Sequence, residues 1–147
     1  MSEKGNPTEK LLWSIALPGF GQLLNGAYLK GFVLIVLEFI INVKSNLNIV
    51  IIESFYGNVE KAIQLTNYQW LMFYPCVYLF AIWDAYKDAR GVKSSYSAIP
   101  FVFSAYFGTI GVIYSRSFLG PIWLPIICLV LGAGIGYIIL KVIEKER

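Results

Sequence analysis

Three stretches of this chain, residues 68–83, 98–114 and 119–140, contain no charged side chain, and a fourth, 27–43, contains only Lys30 and Glu38. A helix needs about 20 mainly apolar residues to cross the roughly 30 Å hydrocarbon core of a bilayer. A water-soluble fold of this size would instead have to hide so much apolar surface behind a polar shell. Little polar material is available for one: 14% of the residues are charged and 57% are hydrophobic, where a soluble domain carries about 25% charged residues. The pattern predicts an all-α integral membrane protein, a single membrane domain over residues 1–147. Transmembrane helices are expected at 27–43, 68–83, 98–114 and 119–140.

The segments between them are expected to lie at or near the interface. Residues 11–26 are uncharged but interrupted by Pro18, Gly19, Gly21, Gln22, Asn25 and Gly26. They read as a broken or re-entrant segment, because two full crossings within 11–43 would leave too few residues for each. Pro75 falls near the middle of the second crossing, where a kink is expected. Pro100 opens the third in its first turn, where a missing N–H costs little. Pro121 and Pro125 lie near the start of the fourth, and 115–118 form a tight hairpin. In 47–66, Ile52, Phe55, Tyr56, Val59 and Ile63 recur at helical spacing, with Glu53, Asn58, Glu60 and Lys61 on other faces. This is an amphipathic extracytoplasmic segment, either a helix lying on the membrane surface or a loop helix packed on the bundle.

Basic residues near helix ends set the orientation. With four crossings, Lys4, Lys10, Lys87, Arg90, Lys93, Lys141, Lys145 and Arg147 share one side, against Lys44, Lys61 and Arg116 on the other. Both termini are therefore expected in the cytoplasm, with the chain in the cell's inner membrane. Trp13, Tyr28, Tyr68, Trp70, Trp83, Tyr86, Tyr114 and Trp123 fall near predicted helix ends, as an interfacial aromatic belt requires. The segment 1–10 mixes acids and bases, so the first apolar run is read as retained rather than as a cleaved signal.

Several chemistries are poorly supplied. The chain has no histidine, which removes His-based zinc sites, Ser-His-Asp triads and Cys-His dyads. Cys76 and Cys128 lie inside apolar runs, so no structural disulfide is expected. A net charge of +3, dispersed between the apolar runs, does not suit nucleic acid. No cofactor or metal is expected, and Ser94, Ser95 and Ser97 have no base beside them to make a nucleophile.

The most informative local pattern is Pro18-Gly19-Phe20-Gly21-Gln22, continuing through Asn25-Gly26 to Lys30-Gly31. Glycines after a proline permit a sharp turn, and Gln22 and Asn25 could bond the backbone groups that the turn exposes. Structurally this is a helix break; functionally it could be a polar substrate or ion site at a broken helix. Together with Trp83-Asp84-Ala85-Tyr86, the pattern resembles small bacterial integral membrane proteins related to the two-transmembrane domain family, over roughly residues 11–89. The chain departs in having Leu24 where an aromatic residue is usual, and in its long 44–67 insertion. The resemblance implies topology and membrane residence, and names no reaction.

Glu38 is the one acid deep in an expected crossing. At the bilayer centre it would cost about 2.5–3.5 kcal/mol on insertion scales, so it is expected either to face the bundle as a hydrogen-bonded neutral carboxyl or to serve a functional site. Asp84 and Lys30 are expected near the cytoplasmic boundary, where they could pair; Asp84 could instead pair locally with Lys87. Gly132 and Gly136 form a small-xxx-small pattern suited to close helix packing, within the bundle or between copies. The leading expectation is a non-enzymatic membrane protein with a structural, scaffolding or partner-binding role. Its partners are the lipid bilayer and either another membrane protein or a second copy of itself. The rival is a component of a small transporter or channel using Glu38 and the broken first segment.

Overall fold

The computed structural model describes residues 6–90 and 96–146, without the Arg90 side chain. Lys4, Lys93, Ser94, Ser95 and Arg147 lie outside the described residues. Every regular element among the described residues is an α-helix: α1 (Pro7–Ala16), α2 (Phe20–Leu24), α3 (Tyr28–Ser45), α4 (Leu47–Phe55), α5 (Val59–Leu65), α6 (Tyr68–Leu71), α7 (Tyr74–Arg90), α8 (Ile99–Tyr114) and α9 (Gly120–Lys145).

Local chemistry accounts for the breaks. α1 starts on Asn6, whose side chain accepts a hydrogen bond from the Thr8 N–H at 3.0 Å, with Pro7 at its first position; a missing N–H is harmless there. α1 ends at the Leu17–Pro18 step, and Gly19, at φ +100°, turns the chain into α2. α3 ends at Asn46, in the left-handed conformation that asparagine tolerates better than most residues. Its amide donates to the Leu65 carbonyl at 2.8 Å, which fastens α5 to the end of α3.

Two expectations need correction. Residues 68–83 are not one helix kinked at Pro75: the helix is broken at Met72–Phe73, and Pro75 is the second residue of the new helix α7. A proline lacks its N–H and so fits a first turn better than a helix interior. Residues 47–66 are likewise not one amphipathic helix. Tyr56–Asn58 separates α4 from α5, with Gly57 at φ +81°. Ile52 and Phe55 of α4, and Tyr56 after it, are exposed, while Glu53 and Ser54 are buried.

The helices run antiparallel, and their ends gather in two sets. Lys30 at the start of α3 meets Asp84 and Asp88 near the end of α7. Gly136, late in α9, lies against Pro100 at the start of α8. At the opposite end, the Asn67 N–H donates to the Ser45 carbonyl, the Arg116 guanidinium lies over the Tyr68 ring at 4.6 Å, and Gly120 approaches Val59. The Trp123 ring packs on Phe55, joining α9 to α4.

α8 and α9 form the closest pair. A Cβ at Gly132 would meet the Phe103 carbonyl oxygen at 2.5 Å, one at Gly136 the Pro100 Cα at 2.6 Å, and one at Gly111 the Pro125 Cα at 2.8 Å. The small-xxx-small face of Gly132 and Gly136 is therefore used inside the molecule. Gly134, on the other side of α9, has open space before it.

By itself α9 is long and apolar enough to cross a membrane. Among the described residues, α3 and α4 pass the same test only together, bent by 61°, and α8 is a shorter apolar helix. An apolar core of Leu47, Val50, Leu71, Val112 and Ile122 is present, yet many large apolar side chains lie outside it and several polar ones lie within the fold. Phe32, Phe39, Val130 and Ile138 face outward, whereas Ser14, Gln22, Ser45, Ser104 and Ser115 are buried.

Candidate functional site

The motif residues that the sequence singles out converge where α1, α2 and the start of α3 meet the end of α7. Pro18 is fully buried at the break. Gly19 and Gly31 let the α2 turn and α3 touch backbone to backbone: a Cβ on Gly19 would stand 2.6 Å from the Gly31 carbonyl oxygen, and one on Gly31 2.8 Å from that of Gly19. Gly21 is pressed against Ser14 and Ala85, with no room for a side chain. Gly26 closes α2 at φ +78°.

The polar residues of the motif reach across to α7. The Gln22 side-chain amide, fully buried, donates to the Ala81 carbonyl at 2.8 Å and to Asp84 Oδ2 at 3.0 Å. Asn25 donates to the Ala85 carbonyl at 2.9 Å. The Lys30 ammonium donates to Asp84 Oδ1 at 2.9 Å and to Asp88 Oδ2 at 3.2 Å. Asp84 thus takes one donor on each oxygen, and two separate parts of the N-terminal motif are tied to one carboxylate. Lys87 does not pair with Asp84; its ammonium lies 4.9 Å from the centroid of the Trp83 ring.

Glu38 sits apart from this clamp. It is 8% exposed on the inner face of α3, its Oε2 has no hydrogen-bond donor among the described residues, and the Tyr74 phenol lies beside it. Along the same helical face, Leu34 and Ile41 are buried on either side of it. Apolar side chains therefore separate Glu38 from the Lys30–Asp84 pair at one end and from Ser45 at the other.

Sequence reasoning missed four contributors. Asp88 shares Lys30; Ser14 donates to the Lys10 carbonyl beneath Gly21 at 2.8 Å; Tyr78 donates to the Ile15 carbonyl at 2.7 Å; and Tyr74 faces Glu38. Tyr74, Tyr78, Ala81, Ala85 and Asp88 recur at helical spacing, which was the available signal for one continuous α7 face. No group of three or more metal-ligating acids or cysteines occurs among the described residues.

The arrangement can hold helices together and satisfy a break in the backbone. Compared with family models, curated proteins and solved structures, the chain matches none.

Proposed function

We propose that this chain is a multi-pass membrane protein of the cell's inner membrane, with no reaction of its own, serving a structural, scaffolding or partner-binding role. The observation that carries the reading is the apolar outer surface: large aliphatic and aromatic side chains face out from α3, α4, α8 and α9, while Gln22 and Asp84 bond each other inside. In water such a surface would aggregate; in hydrocarbon it is the solvent-facing side. On this reading α3, α6–α7, α8 and α9 are the four crossings, α1–α2 is a re-entrant corner sealed onto α7, and α4–α5 lies at the extracytoplasmic interface. The resemblance to the two-transmembrane domain family belongs to the same proposal and is supported by the way its motif residues meet.

Two measurements test it. The chain should resist extraction by alkaline carbonate and be released only by detergent. Single cysteines at Lys87 and at Asn58, in a background where Cys76 and Cys128 are replaced, should label from opposite sides of the membrane, with Lys87 on the cytoplasmic side. Labelling of the Lys87 position from outside intact cells would overturn the orientation, and release by carbonate would overturn membrane residence.

A second reading, a small transporter or channel component, draws on Glu38, whose Oε2 has no donor among the described residues, since acids within membranes commonly mark ion paths. Leu34 and Ile41 on either side of it weigh against a continuous polar route. Proteoliposomes decide between the two: an ion or solute flux abolished by Glu38→Gln would establish transport.

A further inference from the structure

Helices α7 and α8 leave a long apolar cleft between their outer faces. Cys76, Leu79, Phe80 and Trp83 of α7 form one wall; Phe101, Val102, Ala105 and Thr109 are among the residues of the other, and the volume is about 580 Å³. The α8 wall runs from Ala98 to Thr109, about 16 Å at 1.5 Å per residue. Ala98 and Ala105 keep it open by being small. One end is closed where the Cys76 sulfur meets the Thr109 hydroxyl at 3.9 Å.

The other end is chemically different. Trp83 lines the mouth with its indole N–H covered and without an acceptor among the described residues. The Lys87 ammonium stands 4.9 Å from the same ring on an exposed side chain, and no carboxylate among the described residues lies within ion-pair distance of it. An apolar slot closed at one end thus opens toward a cation.

We propose that this cleft is a binding site for an anionic phospholipid, one acyl chain lying along α8 and the headgroup at Lys87 and Trp83. The chain is apolar, as the walls are. The phosphate meets the Lys87 ammonium at the mouth. The proposal rests on the membrane reading above, and it adds the class of lipid and the place where it binds.

The test is native mass spectrometry of the full chain, released from detergent micelles after titration with phosphatidylglycerol or phosphatidylcholine. The unmodified chain should retain phosphatidylglycerol about fivefold more strongly, the worth of one basic residue at a membrane surface. Lys87→Gln, on an exposed position that the fold does not need, should bring the two lipids to parity. Ala105→Trp should fill the cleft and lower retention of both. Equal retention of the two lipids by the unmodified chain would overturn the proposal, as would an undiminished preference in Lys87→Gln. Those outcomes, in a chain that still requires detergent for extraction, leave the membrane reading standing; a chain that is soluble without detergent removes both.

Discussion

The Lys30 ammonium stands 2.9 Å from Oδ1 of Asp84, across 54 residues of sequence. The two partners are unequally placed, the Asp84 side chain being 11% exposed and the Lys30 side chain 45%. Asp84 also accepts from Gln22 on its other oxygen, so the carboxylate, and not the lysine, is the hub of the clamp.

That asymmetry sets the first expectation. Asp84→Asn should lower stability by about 2 kcal/mol, because charge-assisted hydrogen bonds from both Gln22 and Lys30 are weakened. Lys30→Gln should cost under about 1 kcal/mol, as half-exposed ion pairs contribute little. In thermal unfolding of the detergent-solubilised chain, the double substitution should fall short of the sum by about 0.5 kcal/mol or more. Strict additivity would show that the pair does not interact.

The glycines divide by position. Gly31→Ala and Gly132→Ala force a methyl group against carbonyl oxygens at 2.8 and 2.5 Å, and each should cost about 1–3 kcal/mol, as overpacked sites do. Gly134 has nothing within 4 Å of an added Cβ, so Gly134→Ala should be neutral or stabilising by up to about 1 kcal/mol through helix propensity. Equal melting temperatures for Gly132→Ala and Gly134→Ala would contradict the packing of α9 on α8.

Gln22→Leu keeps the volume and removes both donors. It should destabilise the chain by about 2 kcal/mol, since Asp84 loses a buried partner. Asn25→Ala, at a part-buried position with one bond to the Ala85 carbonyl, should cost about 1 kcal/mol. Unfolding midpoints of the two variants, compared side by side, check this order.

Acid should loosen the α4–α5 corner. The Lys61 ammonium bonded to the Glu53 carboxylate, with the Asn58 amide, holds that carboxyl below its ordinary range. A depressed folded-state value contributes stability above the unfolded value, about 4.3 for glutamate, and the contribution is lost as pH falls through the folded value. Melting temperature measured from pH 6 downward should therefore drop through and below that region, and Glu53→Gln should remove this part of the fall. An identical acid profile in the variant would assign the loss to other carboxylates.

Much of the clamp was legible because it is written as backbone punctuation. Pro18, Gly19 and Gly21 announce a turn whatever surrounds them, and Lys30 and Asp84 are charges next to apolar runs that must be placed somewhere. The small-xxx-small face was legible for a related reason, since two glycines four residues apart on one helix face mark a place for close approach. The break at Met72–Phe73 was not legible: a proline within an apolar run marks a kink or a helix start equally, and tertiary packing decides which. Nor was the burial of Glu53, which depends on Lys61 and Asn58 arriving from the following turns. Asp88 and Tyr78 went unread since their partners, Lys30 and the Ile15 carbonyl, lie 58 and 63 residues away.

The span of the clamp carries a consequence for the birth of the protein. Gln22 and its acceptor on Ala81 are 59 residues apart, so at about 5–20 residues per second the ribosome needs roughly 3–12 s to deliver the second after the first. Throughout that interval the nascent corner around Gly19 has no α7 to close on, and Gln22, Asn25 and Lys30 have no permanent partners. Until Asp84 emerges, the first half of the chain lacks the carboxylate that fastens α2 and α3 to α7.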